Sequence, residues 1–258
     1  MEIQLVPIEQ FQNFLLCLAR VMALVSAIPV FNSKNAPAQV KVGLGFATAL
    51  LLFPLMAPYT PQIRFTILEF GLMLINEVLI GLLLGLAAQL IFTAVSFGGT
   101  IVGYQMGFAA ANIFDPQTSQ QLSLMSQFSN VIAILIFLAL NIHQIFFKAI
   151  VDSYILLPPG YLDFSGGAVS MLMDMAGHMF LLGVKLSAPV LALLLLSNLV
   201  LGILARVFPQ LNVFMLSFPI NIGIALLVIG LTLNIMPLML SREFDTVGKN
   251  FLRLFQML

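Results

Sequence analysis

The stretch ILEFGLMLINEVLIGLLLGLAAQLIFTAVSFGGTIV, residues 67–102, decides the fold class of this chain. Its only charges are Glu69 and Glu77. As one helix it would cover about 36 residues, on the order of 54 Å against a hydrocarbon core of roughly 30 Å. Such a run either breaks or is covered in part by protein rather than lipid. Five further apolar stretches flank it, at residues 11–30, 42–55, 122–150, 169–204 and 213–240. Between them lie polar or proline-bearing breaks: FNSKNAPAQVK, PYTPQIR, the segment around Asp115 and Pro116, PPGYLDFSGG and RVFPQLN. The pattern predicts an all-α, integral-membrane-type helical protein with kinked and broken helices.

Composition agrees. Of 258 residues 61% are hydrophobic and 8% charged, where a soluble domain carries about 25% charged residues. Ten basic and ten acidic side chains cancel, so there is no electrostatic footprint for nucleic acid. Cys17 is the single cysteine and His143 and His178 the two histidines, which excludes an internal disulfide and a cysteine-based zinc site. No cofactor or metal is expected. Glu2 and Glu9 precede the first apolar run and Arg20 is the first basic residue. A cleaved signal peptide has the reverse order of charge, so this run is expected to persist. Lys34 and Lys41 in the first break, with Arg242, Lys249 and Arg253 in the tail, favour the cytoplasm. Six simple crossings cannot join an outside start to an inside end, so one run must be re-entrant, doubled or not spanning.

Five charges sit where lipid would not tolerate them: Arg20, Glu69, Glu77, Lys185 and Arg206. Each would cost about 2.5 to 3.5 kcal/mol at a helix centre. The basic ones can snorkel or cap a helix end. Carboxylates are too short to snorkel well, and eight residues set Glu69 and Glu77 roughly on one helical face. At least one of them is expected to meet a basic group on another subunit. Gly81 and Gly85 form one small-xxx-small pair, and Gly99, Gly103 and Gly107 two more. Together they predict a face built for subunit packing. Pro189, Pro209, Pro219 and Pro237 punctuate the last two runs and predict kinks.

Residues 103–130, GYQMGFAAANIFDPQTSQQLSLMSQFSN, are the least lipid-like interior segment. Amides and hydroxyls abound, Asp115 is the only charge, and Met106, Phe108, Ile113 and Phe114 are bulky and apolar. A solvated loop of this length would usually carry lysines or glutamates. Uncharged, partly apolar chain suits a pore-lining or pore-blocking loop, because irregular backbone at membrane depth is allowed where it lines a cavity.

In the order of these features the chain resembles the FliR/SctT family, the R subunits of type III export gates. The matching pieces are Arg20, Pro29 and Lys41, then Glu77 with GLLLG from Gly81 to Gly85, then GYQMGF and FDP. Asn141-Ile-His143 stands where the family usually has Gly-His, and the most specific block is ARVFPQLNVFMLSFPINIG from Ala205 to Gly223. The resemblance implies a single-copy structural subunit joined to five P and four Q subunits. Together they form the entry of a secretion channel for unfolded flagellar proteins, held at the inner membrane and largely on its periplasmic side. B-type switch and A-type export proteins are implied as further partners. Residues 1–185 would be P-like and residues 186–258 a Q-like hairpin turning at Pro209, Gln210, Leu211 and Asn212. The family's plug falls on Met106, Gly107, Phe108, Ala109, Ala110, Asn112, Ile113, Phe114, Asp115, Gln117, Gln120 and Gln121.

Two other functions are weighed on the residues. An intramembrane enzyme would show HExxH, GxGD or GxSG, and the chain has none. A polytopic secondary transporter using buried carboxylates is the stronger rival. It should carry an internal repeat, yet the glycine-rich region at 81–107 has no counterpart in the C-terminal half.

Overall fold

The computed structural model describes residues 7–31, 37–60, 66–107, 124–160 and 166–257. Among these residues the structure is helical without strands. The α-helices are α1 (Ile8–Ala27), α2 (Ala38–Met56), α3 (Ile67–Gln105), α4 (Leu124–Ala139), α5 (His143–Leu156), α6 (Gly166–Val207), α7 (Val213–Thr232) and α8 (Met236–Met257). A short 3-10 turn, Ala57–Tyr59, extends α2.

Prolines and caps set many of the boundaries. Pro7 and Pro37 stand just before α1 and α2, where a missing N–H leaves no bond broken. Thr66 and Glu69 cap α3 reciprocally: the Thr66 N–H donates to Glu69 Oε2 at 2.9 Å, and the Glu69 N–H to Thr66 Oγ1 at 3.4 Å. This is a T-x-x-E capping box. Asn212 caps α7, its Oδ1 accepting from the Met215 N–H at 3.3 Å. Pro189 and Pro219 lie inside α6 and α7, whereas Pro209 falls in the turn between them and Pro237 in the first turn of α8.

Five of these helices are long and apolar enough to cross a membrane, or six if α4 and α5, bent by 66° at their junction, count as one broken span. The run at 67–102 is a single unbroken helix of 39 residues. Over half of its apolar window, 56%, is buried within the chain, against 17% for the window in α2. Protein cover, rather than a break, accommodates its length. The runs at 122–150 and 213–240 differ from the reading above. The first divides at Asn141, whose φ of 54° marks the bend. The second divides between Thr232 and Met236, and its last part joins α8.

The chain splits into two compact units. The first comprises Met1–Leu90, Asn141–Met175 and Glu243–Leu258. Here α1 packs along α2, with Phe14 edge-on to Phe46 and Phe53. Buried Phe146 of α5 meets Phe244 and Phe251 of α8 edge-on. Leu240, Phe244, Val247, Phe251 and Leu254 of α8 are buried at alternating spacings of four and three, a one-sided apolar stripe. Arg242, Asp245, Lys249 and Arg253 lie exposed on its other side. The second unit comprises Ile91–Leu140 and Ala176–Arg242. Its core joins Val102, Met106, Met125, Val190, Leu194, Ala225 and Val228.

Candidate functional site

In the first unit α1, α3 and α5 bring Arg20, Glu77, Ser153 and Tyr154 together. Arg20 and Glu77 are completely shielded from solvent. The guanidinium grips the carboxylate with both prongs, Nε to Oε2 at 2.6 Å and Nη2 to Oε1 at 2.9 Å. Its remaining donors reach Ser153 Oγ at 2.6 Å and the Leu157 carbonyl at 3.3 Å. Glu77 Oε2 also accepts from the Tyr154 hydroxyl at 3.0 Å, and the Arg20 carbon CZ lies 3.9 Å from the centre of the Tyr154 ring. The Ser153 hydroxyl itself donates a hydrogen bond to the Ile150 carbonyl at 2.6 Å. A planar fork with five donors suits this geometry where a lysine would not.

The energetics of such a cluster are asymmetric. Desolvating both charges offsets most of their attraction, so the net gain over an apolar core is small, while removing one partner leaves a buried bare charge and costs about 3 to 5 kcal/mol. The network therefore specifies how α1, α3 and α5 fit more than it adds to stability. Close backbones make it possible. A methyl group on Gly81 would strike the Arg20 carbonyl and Ala23, and one on Gly85 would strike Ala27.

Two expectations change here. At least one of Glu69 and Glu77 was expected to meet a basic group on another subunit; the cation beside Glu77 is Arg20 of the same chain, 57 residues away in sequence. Gly81 and Gly85 were expected to admit another subunit; they admit α1. Glu69 is exposed and caps its own helix, and Lys185 and Arg206 are exposed on α6, Arg206 in its last turn.

The second unit holds the remaining glycines. A methyl group on Gly99 would lie 2.8 Å from Ser126 Cα of α4, so this glycine too serves an intrachain contact. Gly103 is buried. Gly107, at φ +90°, abuts the Phe218 ring. Sequence reading missed Gly98 and Gly183, where α3 and α6 cross so closely that a methyl on Gly98 would stand 2.7 Å from the Gly183 carbonyl oxygen. It also missed an amide relay between α6 and α7, in which Ser197 Oγ donates to Asn221 Oδ1 at 2.9 Å and Asn221 Nδ2 to Asn198 Oδ1 at 3.0 Å. Polar residues in such apolar surroundings were the available signal for the relay.

Of the expected plug residues only Met106 and Gly107 are described. Met106 packs into the core cluster from the turn that follows α3. Phe108, Ala109, Ala110, Asn112, Ile113, Phe114, Asp115, Gln117, Gln120 and Gln121 lie outside the described residues. Pro209 to Asn212 stand in the turn that joins α6 to α7.

An all-α chain with five or more membrane-length helices is an integral membrane protein. Residues 11–247 match the family described as "Bacterial export proteins, family 1", and the chain belongs to that family. Among similar proteins, the "Flagellar biosynthetic protein FliR" of Pectobacterium carotovorum subsp. carotovorum is 37% identical over 228 residues, 88% of this chain and 87% of that one. The protein of the same name from Escherichia coli (strain K12) is 34% identical over 222 residues, 86% and 83% of the two chains. Its Bacillus subtilis (strain 168) namesake is 32% identical over 241 residues, 92% of each.

Proposed function

We propose that this chain is the R-type subunit of a flagellar type III export gate, a single-copy structural component of the inner membrane. It lines and plugs the entry of the channel through which unfolded flagellar proteins leave. Similarity to chains named "Flagellar biosynthetic protein FliR" over most of both lengths carries this reading. The proposed assembly holds five P and four Q subunits, stands largely on the periplasmic side, and engages B-type switch and A-type export proteins. Residues 1–185 act as the P-like part, residues 186–258 as the Q-like hairpin and C-terminal tail, and residues 106–121 as the plug.

Surface chemistry supports a life among other subunits. The hairpin of α6 and α7 exposes Leu195, Leu196, Leu199, Ile203, Phe214, Leu227 and others. Among the described residues nothing lies over Gly202, Gly223 and Gly230, and open glycines on apolar helices admit another backbone. Exposed Lys185 lies amid this apolar surface. The transporter reading loses its support, because Glu77 is already saturated and Glu69 is engaged as a cap.

Mild-detergent purification from cells making the whole apparatus tests the assembly: its mass should equal one copy of this chain with several partner chains. Recovery of a working monomer overturns it. Deleting residues 108–121 should leave that mass intact and make vesicles leak ions. A deletion that assembles and stays tight removes the plug.

A further inference from the structure

A cavity of about 340 Å³ opens between α5 and α8, and Lys148, Asp152, Asp245 and Lys249 all line it. None of these four has a hydrogen bond or ion pair with another described residue. This contrasts with Arg20 and Glu77 in the same unit. The remaining wall is apolar and includes Ile145, Phe251, Leu252 and Phe255. The size lies at the lower end of the range for small-molecule sites.

We propose that this cavity receives the headgroup of a phospholipid bearing both a phosphate and a primary ammonium, the phosphatidylethanolamine class. Lys148 and Lys249 take the phosphate oxygens, and Asp152 and Asp245 accept from the ammonium. Two cations and two carboxylates sum to zero, which matches a zwitterion and repels a purely anionic headgroup at the acidic side. A trimethylated ammonium has no N–H to donate, so a choline headgroup would leave both carboxylates unmet. The source is a lipid because α5 packs against α2, a helix with no charge after Lys41. Most of α2 is exposed and apolar, Leu50, Leu51 and Leu55 included. Phe251, Leu252 and Phe255 give the glyceride end an apolar rim. The inference rests on the membrane-embedded nature of the chain and is independent of the plug.

The test uses the full chain, alone and in its assembled complex, reconstituted in vesicles containing phosphatidylethanolamine, phosphatidylglycerol and phosphatidylcholine in equal parts. Lipid retained after mild-detergent extraction is read by mass. Phosphatidylethanolamine should be retained about tenfold over either competitor, the size expected for one charge-assisted contact. The pair Asp152→Asn and Asp245→Asn should abolish the preference, and the pair Lys148→Gln and Lys249→Gln should abolish retention. All four side chains reach the cavity surface without internal bonds, so folding should be unaffected, as an unchanged melting temperature would confirm. Equal retention of the three lipids, or a preference that survives both pairs, overturns the proposal. Displacement by water-soluble glycerophosphoethanolamine overturns the lipid source in favour of a free headgroup. Enrichment in the isolated chain but not in the complex overturns it in favour of a neighbouring protein's side chains. Co-purification of partner chains is scored separately, so loss of the lipid preference leaves the export-gate reading standing.

Discussion

The Arg20–Glu77 cluster and the α6–α7 hairpin solve the same problem in opposite ways. Both hold polar groups in chain that water does not reach or lipid would surround. In the cluster each nitrogen of Arg20 and both oxygens of Glu77 find a partner within the chain. The hairpin meets only part of its need: Asn221 is buried and bonded to Ser197 and Asn198, whereas Asn198, Lys185 and Arg206 stay exposed. A chain that completes its chemistry at one place and leaves it open at another shows which surface is core and which awaits a partner.

That contrast breaks most readily at Arg20. Arg20→Ala should lower the stability of the detergent-purified chain by about 3 to 5 kcal/mol, because Glu77 is left charged and buried. The double change Arg20→Met with Glu77→Leu should recover most of the loss, since desolvation vanishes with the charges. Thermal unfolding of the three proteins decides it: an Arg20→Ala chain that melts with its parent would mean the cluster is not a closed unit.

Glycine sharpens the distinction. Gly98→Leu should cost about 1 to 3 kcal/mol through overpacking against the Gly183 backbone. Gly202→Leu meets open space and should leave the melting temperature unchanged while reducing recovery of partner chains in the purified complex. Equal behaviour of the two variants in both measurements would erase the difference between core and docking surface.

Tyr154→Phe removes the hydroxyl that donates to Glu77 but keeps the ring under the guanidinium. The loss should be about 1.5 kcal/mol, the scale of a hydrogen bond to a charged acceptor. Arg20 still grips Glu77 with both prongs, so this change should lower the melting temperature less than Arg20→Ala does. A larger drop than that of Arg20→Ala would place the weight of the cluster on the tyrosine.

Much of this was legible in the residues, and the gaps have physical causes. Helical class, span lengths and the turn at Pro209 to Asn212 follow from hydropathy and from proline, which are local properties. Glu77 declared itself as a misfit. Its partner did not, because a cation 57 residues away is no nearer in sequence than one on another chain, and periodicity reports which face is special without reporting what faces it. The same holds for Gly81 and Gly85: a smooth face is written in the sequence, while the identity of the approaching backbone is not. Glu69 is a different kind of miss. Thr66 and Glu69 spell a capping box, a local signal hidden by reading the carboxylate only as a charge in lipid. The candidate plug residues from Phe108 onward lie outside the described residues, so their reading stands on composition and the resemblance.

The smallest expected effect lies at the bend between α4 and α5. The φ of Asn141, 54°, is the left-handed conformation that glycine adopts freely. Asparagine tolerates this conformation better than other residues with a side chain. Asn141→Gly relieves backbone strain in the folded chain but frees the unfolded one, and these terms oppose each other at about 0.5 to 1 kcal/mol each. The melting temperature should therefore hardly move. Asn141→Val should cost about 1 to 2 kcal/mol, because a branched side chain fits that region poorly. If valine were tolerated as well as glycine, the bend at Asn141 would not depend on its left-handed backbone.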